Sequence, residues 1–116
     1  MAAAKSKARR DLAQVIEHVD EATALLKALG NDQRLMVLCC LMEGPLSVGE
    51  INAHIPLSQS ALSQHLGVLR EAGVVTTRRQ SQTIYYALAK GPAMRIMATL
   101  HRAFCAPRAQ QRASRA

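Results

Sequence analysis

Glycine and proline residues divide the middle of this chain into short segments, and this division constrains the fold more than any other feature. The breaking positions are Gly30, Gly44-Pro45, Pro56, Gly73 and Gly91-Pro92. Most segments between them carry apolar residues at spacings of three and four, which is typical of helices. One segment is rich in Val, Thr, Ile and Tyr instead, which is typical of strands. The order predicts a mainly α-helical domain with a small β-hairpin, in the sequence α-α-α-α-β-β-α.

The predicted helices span residues 11–29, 32–43, 48–54, 59–72 and 93–104, and the predicted strands span residues 74–79 and 83–88. Asn31, Ser47 and Ser58 stand directly before three of these helices, where a side-chain oxygen satisfies free backbone N–H groups. Glu50 follows Ser47 by three residues, which is the spacing of a capping box. Residues 1–10 and 106–116 are predicted to be basic disordered tails that flank a domain at residues 11–105.

The overall charge favours a nucleic-acid partner. The chain has 116 residues, a formal net charge of +7 and a pI of about 10.0, which fits one domain with a polyanionic partner. Residues 35–42 form the longest apolar run, too short to cross a bilayer, and no secretion signal is recognisable. We therefore expect a cytoplasmic protein without a membrane partner. A domain this short leaves much surface uncovered, which makes a homodimer natural.

A turn at residues 54–57 joins two short helices, and the hairpin follows the second of them. Leu62, Leu66 and Leu69 recur at helical spacing in that second helix and are predicted to face the core. Polar residues near its start are predicted to meet base edges in a major groove, because Gln pairs with adenine and Ser bonds any base. These candidate DNA-binding residues are Gln59, Ser60, Ser63, Gln64 and His65.

The hairpin tip supplies a second set of candidate DNA contacts. Arg78, Arg79 and Gln82 lie at or beside the tip, where they are predicted to reach phosphates or a minor groove. A plain amphipathic helix with a solvated polar face would explain residues 59–72 taken alone. The basic hairpin and the basic chain together favour a winged helix-turn-helix that binds double-stranded DNA.

Three stretches of the sequence resemble one family. LLKALGNDQRLMVLCCLMEGPLSVGEI, LSQSALSQHLGVLREAGVVTTRRQSQTIYYAL and LHRAFC closely resemble the ArsR/SmtB family of bacterial repressors, a likeness that runs through residues 20–105. The resemblance implies a homodimer whose first and last helices form the interface, and an operator with inverted-repeat symmetry. It also implies a repressor that leaves the operator when an inducer binds or reacts, and not an enzyme.

The metal sites of this family do not carry over to this chain. One family site places Cys-x-Cys in the third helix, but the matching residues 46–50 contain no Cys. Another uses carboxylates and His on the last helix, which here offers His101 and neither Asp nor Glu. We therefore expect no metal site of either type and no cofactor.

Two cysteines resemble the dithiol of the family branch that senses persulfides and redox changes. These are Cys39 in the second predicted helix and Cys105 at the end of the last one, and the resemblance implies that reactive sulfur species or an oxidant bridge them. Cys40 leaves open which of two neighbouring thiols is the partner of Cys105. Because the thiolate is the reacting form, at least one thiol is expected to have a lowered pKa. The sequence-local cations available for this are Arg34, His101 and Arg102.

Other functions remain as alternatives to a repressor that is controlled by bridging Cys39 and Cys105, a control we call the thiol switch. The first is a metal- or metalloid-responsive repressor that uses Cys39 and Cys105 as thiolate ligands, with His101 as a third candidate. An unregulated nucleoid-type DNA binder is the second. A small thiol enzyme is disfavoured, because the chain has no Cys-x-x-Cys and no convergent catalytic acid and base.

Overall fold

The computed structural model describes the backbone of residues 2–105 and the side chains of residues 6–105. Within these residues there are six helices and three strands. They are α1 (Ala2–Glu17), α2 (Val19–Leu29), α3 (Asp32–Leu41), β1 (Leu46–Ser47), α4 (Val48–His54), α5 (Gln59–Glu71), β2 (Val75–Gln80), β3 (Thr83–Leu88) and α6 (Pro92–Phe104). The predicted winged helix-turn-helix is confirmed. None of the described helices is long and apolar enough to cross a membrane.

The predicted helix caps are confirmed by their hydrogen bonds. The side chains of Asn31 and Ser58 accept the backbone N–H groups three residues on, over 3.0 and 3.1 Å. Ser47 and Glu50 form the full capping box, with bonds of 3.2 and 3.0 Å. Both the backbone and the side chain of Ser47 donate to the Glu50 carboxylate, which lowers the pKa of that group. Three of the helix starts are thus set by local side chains.

The N-terminal region differs from the prediction. Residues 2–10 are helical rather than a disordered tail, because they are rich in Ala and contain neither Gly nor Pro. The predicted single helix over residues 11–29 is interrupted at His18, whose backbone leaves helical geometry at φ −110° and ψ 17°. The apolar spacing runs unbroken past His18, so it gave no sign of this break. The predicted C-terminal tail, residues 106–116, lies outside the described part of the chain.

The sheet has one more strand than predicted. β1 pairs antiparallel with β3, placing Leu46 opposite Tyr86 and Ser47 opposite Tyr85, and β3 pairs with β2 to form the wing. A strand of two residues is too short to show alternation, which is why the sequence pattern does not reveal it. Its effect is to tie the start of α4 to the base of the wing.

The core lies between α3, α4, α5, α6 and the sheet. The largest fully buried side chains are Leu38, Ile51, Leu62, Leu66, Leu69, Met97, Val37 and Val74. The predicted inward face of the second short helix is therefore confirmed. Each fully buried side chain of this kind contributes about 1.5–3 kcal/mol. By contrast, the described residues of α1 are exposed throughout.

Candidate nucleic-acid interface and thiol pair

A single asparagine fixes the turn between α4 and α5. The Nδ2 atom of Asn52 donates to the carbonyl oxygens of Ile55 (3.2 Å) and Leu57 (2.7 Å). The turn contains Pro56, which has no N–H of its own to donate. Sequence reasoning missed this role, although an Asn shortly before a Pro-containing turn was the available signal. Asn52 thus fixes the turn that joins α4 to α5. We call α4, α5 and the wing together the reading unit.

Helix α5 presents four of its five predicted DNA-binding side chains to solvent. Gln59, Ser60, Ser63 and Gln64 are exposed, whereas the leucines of the opposite face are buried. These four side chains lie in the first two turns, where a recognition helix meets base edges. The arrangement matches the requirement for reading a major groove.

His65 is the exception in the predicted set. It is half-buried, and its Nε2 atom lies 2.7 Å from Oε1 of Gln33, at the start of α3. Because an amide oxygen only accepts, His65 is the donor in this bond. The side chain is therefore engaged within the protein rather than free for a base.

The wing places its two arginines on opposite faces. Arg78 pairs across the strands with Tyr85, and Arg79 pairs with Ile84, so the alternation of a strand separates them. The Nε atom of Arg79 donates to the carbonyl of Ser81 over 3.2 Å and holds the tip of the hairpin. Arg78 instead lines the outer face beside Tyr85. Both arginines are exposed, and Gln82 is exposed at the tip.

The two predicted switch cysteines stand on α3 and directly after α6, two helices that pack against each other. Cys39 and Cys105 are free thiols and both are exposed. Burial raises the pKa of Cys39, and the nearby Cys105 charge raises it further. The pKa of Cys40 is raised by burial, then by Cys39 and by Glu43, and Cys105 is not among the causes. Cys40 also packs partly against the core. The charge of Cys105 thus acts on Cys39, which favours Cys39 over Cys40 as its partner.

The expected lowering of a thiol pKa is not found at Cys39, whose pKa is raised instead. Arg34, one of the candidate cations, points the other way and donates to backbone carbonyls of α2. Among residues 2–105 no group of three or more His, Cys, Asp or Glu side chains is placed to hold a metal ion, so a site of Cys39, Cys105 and His101 is not formed there.

Comparison with known proteins identifies the family. Residues 31–77 match the family described as bacterial regulatory protein, arsR family. The transcriptional activator HlyU of Vibrio cholerae is 43% identical over 95 residues, which cover 82% of this chain and 88% of HlyU. The chain belongs to the ArsR family. The biofilm growth-associated repressor of Agrobacterium fabrum is 49% identical over 87 residues, covering 75% of this chain and 74% of that repressor.

Solved structures of ArsR-family proteins share the fold. Reduced HlyU from Vibrio cholerae superposes with a TM-score of 0.74 at 43% identity, covering 79% of this chain and 97% of that one. The repressor BigR from Xylella fastidiosa gives 0.73 at 43% identity, covering 84% and 94%. These relatives are transcriptional regulators, and this ArsR-family chain is one too, not an enzyme. They include both an activator and a repressor.

Proposed function

We propose that this protein is a homodimeric repressor that leaves its operator when Cys39 and Cys105 are bridged by reactive sulfur species or an oxidant. The observation that carries the proposal is the pair of free, exposed thiols, close enough that the charge of one raises the pKa of the other. A regulator works where the chromosome is, so we place it in the bacterial cytoplasm. Its DNA partner is an inverted repeat, because a two-fold dimer presents one α5 helix to each half-site.

The dimer is supported by apolar side chains that the described residues of one chain leave exposed. Leu12, Val15 and Ile16 on α1 are 58–60% exposed, Leu26 on α2 is 59% exposed, and Met94 on α6 is 39% exposed. Exposed apolar faces of this kind mark contact surfaces. We assign the surface formed by α1, α2 and α6 to a second copy of the chain. A solution mass of one chain at operator-binding concentrations would contradict this assignment.

The DNA contacts follow from the exposed side chains. We assign base reading to Gln59, Ser60, Ser63 and Gln64, and phosphate contacts to Arg78 and the wing tip. Arg79 and Gln82 lie at that tip, and Arg79 also holds its shape. We assign no base contact to His65, because its ring is engaged by Gln33.

In the proposed switch reaction, an organic persulfide or hydrogen peroxide oxidises the two thiols. One thiolate attacks the outer sulfur of an organic persulfide, releases the organic thiol and becomes a cysteine persulfide. The second thiolate attacks the cysteine-bound sulfur, forms the disulfide and releases hydrosulfide. Two cysteine persulfides instead condense to a trisulfide and hydrogen sulfide. With hydrogen peroxide, the two thiols form the disulfide and the peroxide becomes two water molecules.

To control DNA binding, the bridge must change the folded arrangement of the chain and not only its stability. In the chain-entropy description, closing the long loop between the two cysteines restricts the unfolded chain by about 4 kcal/mol, so this energy stabilises the folded domain and does not itself set the DNA affinity. A hundredfold loss of operator affinity requires about 3 kcal/mol of coupling. The loop contains α4, α5 and the wing, so the constraint acts on the whole reading unit.

A gel-shift titration tests the proposal with DNA that the reduced protein selects from a random library. Cys39→Ser and Cys105→Ser should bind this DNA and keep it when an organic persulfide is added, whereas the wild type should release it. Cys40→Ser is the matched control and should respond like the wild type. Intact mass should show the loss of two hydrogens for a disulfide, or the gain of one sulfur together with the loss of two hydrogens for a trisulfide.

Three results would contradict the proposal. One is a wild-type response in Cys105→Ser. Another is a loss of response in Cys40→Ser alone, which would move the partner to Cys40. The third is release by metal or metalloid without any covalent change in mass, which would favour the metal-responsive alternative.

A further inference from the structure

Helices α3 and α5 are joined by a polar link as well as by core packing. The bond between His65 Nε2 and Gln33 Oε1 is 2.7 Å long and connects residues 32 positions apart in the chain. Among residues 6–105 it is the one hydrogen bond between side chains of two different helices. Both residues are half-buried, so water competes for this bond less than at the surface.

The two ends of the link stand on functionally distinct helices. His65 directly follows Ser63 and Gln64, the exposed polar residues of α5. Gln33 lies in the first turn of α3, and Cys39 lies six residues further along the same helix. Six residues of helix span about 9 Å, so α3 connects the thiol to the link as one short rigid element.

We propose that His65 is a positioning residue whose bond to Gln33 holds α5 against α3 in the orientation that DNA binding requires, an effect we call the seating of α5. The same bond passes the change caused by bridging Cys39 from α3 to α5, an effect we call the transmission. The seating requires only that the protein binds DNA, whereas the transmission from Cys39 also rests on the proposed bridging of Cys39 and Cys105. A bridge at Cys39 that shifts α3 moves Gln33 with it. His65, and with it the exposed face of α5, then changes position relative to the rest of the reading unit.

The seating is tested on the reduced protein with a double-mutant cycle. Gln33→Ala and His65→Ala should each weaken binding to the selected DNA about fivefold, the loss expected for one net hydrogen bond of about 1 kcal/mol. The double variant should be no weaker than either single variant, because both remove the same bond. His65→Gln keeps an amide N–H of similar reach and should recover to within about twofold. Glu71→Gln, at an exposed position at the C-terminal end of α5, is the control and should bind like the wild type.

Base preference separates positioning from direct contact. Neither Gln33→Ala nor His65→Ala should change the ranking of operator variants, because neither side chain reads a base. The seating is overturned if the losses multiply to about 25-fold in the double variant. It is also overturned if His65→Ala alone changes base preference, which would return His65 to the direct contacts. If His65→Ala does not fold by circular dichroism, Gln33→Ala and His65→Gln decide the question.

The transmission is measured as the ratio of operator affinity before and after treatment with an organic persulfide. This ratio should be smaller in Gln33→Ala than in the wild type, by about fivefold. An unchanged ratio overturns the transmission and leaves the proposed thiol switch standing. A wild type without any response contradicts the thiol switch and the transmission together, while the cycle on the reduced protein still decides the seating.

Discussion

Arg34 holds together the junction between α2 and α3, and its removal should have a measurable cost. The last four carbonyls of a helix lack partners within it. In α2, Leu26 and Leu29 bond to backbone N–H groups of the following residues, over 2.8 and 2.9 Å. The remaining two, Lys27 and Ala28, accept from the guanidinium of Arg34 over 3.0 and 2.7 Å. One side chain thus completes the end of α2.

The size of the effect follows from these two bonds. A hydrogen bond from a charged group contributes about 1.5–3 kcal/mol when partly buried. The bond to Ala28 is partly buried and the bond to Lys27 is exposed, where water readily replaces the donor. We expect Arg34→Ala to lower the free energy of unfolding by about 2 kcal/mol, which is a fall of about 10 °C in Tm. Arg34→Lys, which offers a point donor instead of a fork, should lose about 1 kcal/mol.

Urea and thermal unfolding at one fixed protein concentration measure these losses, because dimerisation contributes to the apparent stability. Arg95→Ala is the matched control, since the exposed Arg95 side chain makes no hydrogen bond within the described structure, and it should change stability by less than about 0.5 kcal/mol. The reasoning is refuted if Arg34→Ala is as stable as Arg95→Ala, or if Arg34→Lys loses as much as Arg34→Ala. The alkylation rate of Cys39 should be unchanged in Arg34→Ala, because Arg34 does not set the pKa of that thiol.

Further predictions concern the interface, the thiols and the core. Arg78→Ala should weaken binding to all DNA sequences and reduce the slope of affinity against salt concentration by about one unit. Gln64→Ala should instead change the preference among operator variants. If Arg78→Ala changes this preference and Gln64→Ala changes the salt slope, the two roles are reversed. Cys105→Ser removes the charge that raises the pKa of Cys39, so Cys39 should be alkylated faster near pH 8 and its rate profile should move to lower pH. A profile that moves to higher pH would contradict this. Leu66→Ala empties a site that is 1% exposed and should cost about 2–5 kcal/mol in urea unfolding; a loss below about 1 kcal/mol would show that the core closes around the gap.

The sequence predicted the reading unit well because its signals are local. Ser47 and Ser58 cap helices by bonding N–H groups three residues away, and such bonds depend on nothing outside the first turn. Gly73 has a φ of +74° after α5, and the N–H of Val74 donates to the carbonyl of Leu69, which forms a Schellman motif. A glycine directly after a helical pattern is the sequence signal for this motif. The exposed polar face of α5 follows from the spacing of its leucines. Local chemistry and periodicity therefore placed the helices and the wing.

The features that the sequence missed depend on partners far away in the chain. β1 exists because Leu46 and Ser47 meet β3, and two residues carry no pattern of their own. His65 has the same polar character as its neighbours on α5, and only the approach of Gln33 gives it a different role. The interruption at His18 is likewise invisible in the apolar spacing on either side.

The thiols show the division between sequence and tertiary structure most clearly. The sequence by itself determined a basic winged helix-turn-helix, and a resemblance in it pointed to Cys39 and Cys105, but Cys40 left open which of the two neighbouring thiols is the partner of Cys105. Adjacent residues of a helix project about 100° apart, so only the packing of α3 against α6 decides which one faces Cys105. The packing brings the charge of Cys105 to Cys39 and leaves Cys40 partly against the core. Partial burial also raises the pKa of the Cys39 thiol, whereas the sequence had suggested that nearby basic residues lower the pKa of at least one thiol.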